Sequence, residues 1–203
     1  MKKLSSIIML AFALLLVSSC SNDSKIKKLV SEDLSKQMKN PESFKITSIE
    51  IREDTVPVYF KSNVQSALST LGEASSAFNR YAGMSDLFAK EKAESLSELS
   101  KSIEDIKALT KNMSPEVKKV AYVRYTAKTG IGVDKQGAAI VILSDDKDPK
   151  IEGTFFVDNS DFTEKFVSYK LWVDEQTLKQ NDYGKIETAN LPYIEKFILS
   201  GEE

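Results

Sequence analysis

The chain has 203 residues, with 28 basic and 30 acidic side chains, one cysteine, no histidine and 41% apolar residues. That balance suits an ordinary packed domain, and its mild acidity lacks the basic footprint of a nucleic-acid binder. The missing histidine excludes a His-based triad, imidazole zinc ligation and an imidazole proton shuttle.

Met1-Lys2-Lys3 makes a positive start, Leu4 to Val17 is almost wholly apolar, and Ser18 and Ser19 lead into Cys20. This order describes a secretory signal peptide over 1–19, and its apolar run is shorter than the roughly 20 residues that span a bilayer. Removing it also removes Lys2 and Lys3, leaving 26 basic against 30 acidic side chains. The mature chain of 184 residues, Cys20 to Glu203, is the size of one domain.

Val17-Ser18-Ser19-Cys20 resembles the lipobox of bacterial lipoproteins. The resemblance implies that diacylglycerol alkylates the Cys20 sulfur, that cleavage falls before it, and that the new amine is acylated by a palmitate-type chain. Each buried methylene contributes about 0.8 kcal/mol and one chain binds only marginally, so two or three chains anchor the protein. The membrane is then a partner through Cys20, and the address is the bacterial cell envelope. Ser21 stands where some lipoproteins carry the aspartate that retains them at the inner membrane, which favours the outer one. With its thiol used up the chain has no disulfide and no thiolate or imidazole metal ligand. No cofactor and no metal are expected.

Residues 20–25 read as a polar tether and 26–203 as a single α+β domain. Ser24 to Lys39 carries Ile26, Leu29, Val30, Leu34 and Met38 at helical spacing, stopped by Asn40-Pro41. Phe44 to Arg52 alternates and is rich in β-branched residues, predicting a strand. Pro57 makes Val58-Tyr59-Phe60 an edge or connecting segment. Two helical stripes follow. The first runs Val64, Leu68, Leu71, Phe78 and Tyr81; the second runs Ala89, Ala93, Leu96, Leu99, Ile103, Ile106 and Met113. Gly83 separates them, with Ser85-Asp86 as N-cap of the second. They predict a helical hairpin over 61–113, serving either as core or as an arm for a partner.

Lys118 to Lys128 alternates, Gly130-Ile131-Gly132 supplies a turn, and Gln136 to Leu143 is apolar on both faces, as an inner strand is. Ile151, Gly153, Phe155 and Val157 mark another strand. Residues 161–176 fit a helix or a strand, and the N-cap chemistry of Asn159-Ser160-Asp161 favours the helix. Leu191-Pro192 and YIEKFIL suggest a short closing helix. The fold class is α+β: an antiparallel β-meander packed with an N-terminal helix, with the helical hairpin inserted after the first strand.

Short motifs add little chemistry. Asp145, Asp146 and Asp148 read as a solvated turn. Asp158 to Asp161 begins like a calcium loop, but Thr163 and Tyr169 stand where glycine and glutamate are needed. Gly130-Ile131-Gly132 is too short to cradle phosphate, and Ser24 with Lys27 matches Ser-x-x-Lys by chance. Asp54-Thr55-Val56 is similar to a short acceptor for O-glycosylation in some exported bacterial proteins, which needs Thr55 exposed; a plain turn is the alternative.

Residues 40–51 (NPESFKITSIEI) and 122–132 (YVRYTAKTGIG) resemble a pattern of small uncharacterised bacterial exported or lipoprotein domains. There D/N-P-x-S-F leads into a strand, and Y-x-x-Y-x-A-K-x-G-x-G forms a β-hairpin. The resemblance implies the fold, with the helical hairpin as an insertion, and implies no activity. The function expected from these readings is a non-enzymatic binding or structural role, toward an envelope protein or glycan. One alternative is a cell-wall or glycan enzyme whose two carboxylates lie roughly 5–9.5 Å apart. Another is an inhibitor or immunity-type module binding through Tyr122, Arg124 and Lys128, residue types suited to interfaces.

Overall fold

The computed structural model describes residues 23–157, 159–174 and 191–200. The signal peptide and Cys20 therefore lie outside the described residues. Helix α1 covers residues 23–37, so the last part of the expected tether is already helical. Strand β1 (Lys45–Val56) follows, then helices α2 (Ser62–Ala82) and α3 (Ala89–Thr110). Strands β2 (Glu116–Lys128), β3 (Asp134–Leu143) and β4 (Ile151–Phe156) come next, and α4 (Ser160–Trp172) and α5 (Tyr193–Ser200) end the chain. The strands form one antiparallel sheet in the order β1-β2-β3-β4. This is the α+β meander with its inserted helical hairpin.

The chain divides into two compact units. The first takes the described residues up to Arg52 with Lys119–Thr154; the second takes Glu53–Lys118 and the described residues from Phe155 on. In the first unit Ile26, Val30 and Leu34 line one face of α1 and are fully buried. Asp33 accepts a hydrogen bond from the Thr154 hydroxyl at 3.0 Å, fixing α1 beside β4. The β2–β3 register runs from Lys119 opposite Leu143 to Lys128 opposite Asp134, and Ala138 to Leu143 are buried on both faces. An inner strand reads this way because neither face meets water.

A polar clasp ties the end of α1 to the β2–β3 turn. The Asn40 side-chain amide donates to the Thr129 carbonyl at 2.7 Å and to the Lys128 carbonyl at 3.4 Å. The Lys128 N–H donates to the Ser43 hydroxyl at 2.8 Å, and that hydroxyl donates to the Asn40 carbonyl at 2.7 Å. Beside it the Phe44 and Tyr125 rings meet at 5.3 Å. The Tyr125 ring crosses to Gly137, its partner in register, so closely that a Cβ there would sit 2.5 Å from the ring. Gly132 takes φ +83° in the turn, a conformation glycine adopts without strain.

The second unit is built on aromatic rings and a helix pair. Val58-Tyr59-Phe60 is a buried 3₁₀ turn, not merely a connection. Phe60 meets Phe155 edge-on at 4.7 Å and Phe162 at 5.9 Å, while Tyr59 meets Phe166 and Tyr169. The stripe expected on α3 holds at Leu99 and Ile106 and is corrected elsewhere. Its buried residues are Ser95, Leu99, Ser102 and Ile106, while Leu96 is 50% exposed. Ser95 and Ser102 donate to the carbonyls of Lys92 and Glu98, so their hydroxyls are satisfied without leaving the helix. Small, self-satisfied serines can then face α2, which packs on α3.

Two local expectations change, and the helix favoured over 161–176 is found. Asp54-Thr55 is no turn: β1 continues through Val56 and stops before Pro57, which has no N–H to extend a ladder. Ser85 makes no side-chain cap; a 3₁₀ turn at Asp86–Phe88 precedes α3. The ambiguous stretch is helical over Ser160–Trp172, with Asn159 accepting from the Asp161 N–H at 3.1 Å.

Asn40→Ala and Ser43→Ala should each lower stability by about 1–2 kcal/mol. In a double-mutant cycle followed by urea denaturation they should couple by at least about 0.5 kcal/mol; strict additivity would mean the clasp does not act as a unit. Gly137→Ala should cost about 1–3 kcal/mol by overpacking, with a changed near-ultraviolet signal from Tyr125.

Candidate functional site

The sequence-selected residues do not converge. Cys20 lies outside the described residues. Thr55 is exposed on β1, the exposure that glycosylation requires, and its N–H donates to the Asp54 carboxylate at 2.7 Å. Tyr122, by contrast, is only 2% exposed, while Arg124 and Lys128 are exposed. The three cannot present one open face, so the binding surface expected there loses its aromatic member. Alternation explains the rest: Ala121, Val123, Tyr125 and Ala127 are buried too, and Tyr122 shows that β2 is covered on both faces at its middle.

Chemistry-bearing groups gather instead in the second unit, where α4 meets α5. Lys170 and Glu195 are 3% and 2% exposed. The Lys170 ammonium lies 2.9 Å from a Glu195 carboxylate oxygen and 2.9 Å from the Asp174 carboxylate. One positive charge thus serves two negative ones. Glu195 Oε2 makes no hydrogen bond of ordinary geometry, although the nearby Tyr59 hydroxyl acts to lower that carboxyl's affinity for a proton.

Burial pushes the Glu195 carboxyl above the usual glutamate range. The Lys170 hydrogen bond and charge oppose that rise, and the Asp174 charge adds to it. Tyr169 is pushed up to about 12, first by burial and then by the charges of Asp174 and Glu195. The Lys170 ammonium stands between the two carboxylates, where a glycosidase would need its substrate.

This cluster was invisible in the sequence. Lys170 and Glu195 sit on short helices among apolar neighbours, and a burial pattern read from helical period treats both as solvent-facing. The one signal was their presence in the stretches YKLWV and YIEKFIL, with large hydrophobes on either side.

A groove of about 460 Å³ runs between α2 and α4. Gly72 and Ser76 lie along its α2 wall with Glu73 and Arg80; Glu164 and Lys165 stand on the α4 side. Ser76 donates to Glu164 at 3.0 Å. A Cβ on Gly72 would meet nothing within 4 Å, so this helical glycine leaves space that no side chain fills. Charges of both signs line it, which favours no ligand of a single sign. Among the described residues no group of three or more acidic, cysteine or histidine side chains could hold a metal ion.

The raised Glu195 carboxyl keeps its proton in the fold at pH values where the unfolded chain has lost it. Its contribution is fully present below the ordinary value of 4.5 and is lost as pH rises through the folded value. Glu195→Gln should remove that dependence while Lys170 keeps Asp174. Measured by urea denaturation upward from pH 4.5, the stability of the parent relative to the variant should fall as pH rises. A difference constant with pH would show that Glu195 titrates normally.

Comparison with known protein families, with curated protein sequences and with solved structures finds no match.

Proposed function

We propose that this chain is a lipid-anchored protein of the bacterial cell envelope, at the outer membrane, whose folded body binds or braces another envelope component without catalysis. The observation that carries the reading is Cys20, the only cysteine, standing directly after an apolar leader and two small residues. The position of the folded body supports it. Helix α1 is already formed at residue 23, and Ile26 is fully buried, so the packed part of the chain begins at once after the cysteine.

Among the described residues no helix is long and apolar enough to cross a membrane, and attachment in this reading rests on the acyl chains. The binding half of the reading is supported by the tip of the helical hairpin. There Leu87 is 90% exposed, with Met84 and Phe88 also exposed. Clustered large apolar side chains on a surface suit contact with a protein. The carboxylate-enzyme alternative gains a buried acid in Glu195, but Lys170 neutralises it and fills the space beside it.

Metabolic labelling with palmitate should mark the expressed chain, and Cys20→Ala should abolish both the label and the membrane fraction. Unlabelled chain, or a Cys20→Ala variant that still sediments with membranes, would end this reading.

A further inference from the structure

The start of α1 and the β3–β4 loop form one end of the first unit, and we propose that this end lies against the lipid headgroups while the β2–β3 turn faces away from them. The inference rests on the lipid-anchor reading and adds an orientation to it. Three Cα steps separate Cys20 from Asp23, the first described residue of α1, and they span at most about 11 Å however they are arranged. Acyl chains on Cys20 therefore hold the first turn of α1 close to the headgroup plane.

The two ends of the unit are held apart by rigid elements. Lys25, in the first turn of α1, reaches Asp148 of the β3–β4 loop at 3.9 Å. That loop is closed by the Ser144 N–H donating to the Lys150 carbonyl at 2.8 Å. At the other end of α1, the Asn40 amide holds the Thr129 carbonyl, and Lys39 lies beside Gly130. The fifteen helical residues of α1 rise about 21 Å between these ends. The ten residues of β3 run in the opposite sense over about 30 Å, from the turn to the loop.

The side chains at the near end fit a headgroup layer. Lys25, Lys27, Lys28 and Lys147 can meet phosphates, and the loop aspartates can meet ammonium groups or water. At the far end Ile131 is 88% exposed and Val133 is also exposed, presented toward the solvent side of the anchored protein.

The test uses the full chain, lipidated in bacterial cells, carrying Lys147→Cys or Ile131→Cys. Both positions are exposed, and because an alkylated Cys20 has no free thiol, the new cysteine is the sole point for a fluorophore. The labelled protein is reconstituted on vesicles of phosphatidylethanolamine and phosphatidylglycerol bearing a headgroup nitroxide. Quenching should be several-fold stronger at position 147 than at position 131. Equal quenching, or stronger quenching at 131, on vesicle-bound protein overturns the orientation alone. Protein that stays off the vesicles, with an unmodified Cys20 sulfur by mass spectrometry, overturns the anchor reading and the orientation with it.

Discussion

The first unit depends on a few hydrogen bonds between segments almost ninety residues apart. Asn40 and Ser43 satisfy the main chain of Lys128 and Thr129, where α1 ends and the β2–β3 turn begins. The Thr129 carbonyl also accepts from the Gly132 N–H within the turn, so the turn closes on itself, and holding it against the end of α1 needs bonds from another segment. The clasp meets that need with two side chains. Pro41 shapes the same corner by ending the helix, and the Phe44–Tyr125 pair fills the space beneath it. Residues that look like a sequence motif are thus a device for closing one end of a helix onto a hairpin.

The second unit solves a different problem. A long polar insertion must pack without a continuous apolar stripe, and it does so with serines. On α3 the buried spacing of 95, 99, 102 and 106 alternates serine with a large aliphatic side chain, and each serine hydroxyl bonds to a carbonyl of its own helix. This keeps the buried hydroxyls satisfied and the helices close. Leu96, on the same helix, is left half-exposed, and Leu87 in the turn before the helix is 90% exposed.

Between α4 and α5 a lysine is shared by two carboxylates in a nearly closed site. Removing charges from water is expensive, and such groupings are weak contributors to stability compared with apolar packing. What they fix is geometry: the Lys170 ammonium joins α5 to α4 at a defined place. The Tyr169 ring, itself packed on Tyr59, lies 6.0 Å from the Lys170 ammonium, and a low local dielectric strengthens the charge pairing there.

The sequence by itself determined where the elements fall. Apolar spacing locates α1, the strands and the hairpin, because a 3.6-residue or a two-residue period is imposed by the face each element must bury. It also held the lipobox-like leader that carries the functional proposal. The limits of that reading are equally physical. Period alone could not tell that Ser95 and Ser102 would be buried in preference to Leu96, since the choice depends on how closely α2 approaches. Nor could it place Tyr122 inside, or bring Lys170 to Glu195, because a charged side chain is tolerated in the interior only where a partner from another element meets it. Only the tertiary structure decided which polar residues find partners, and so which of them define the sites.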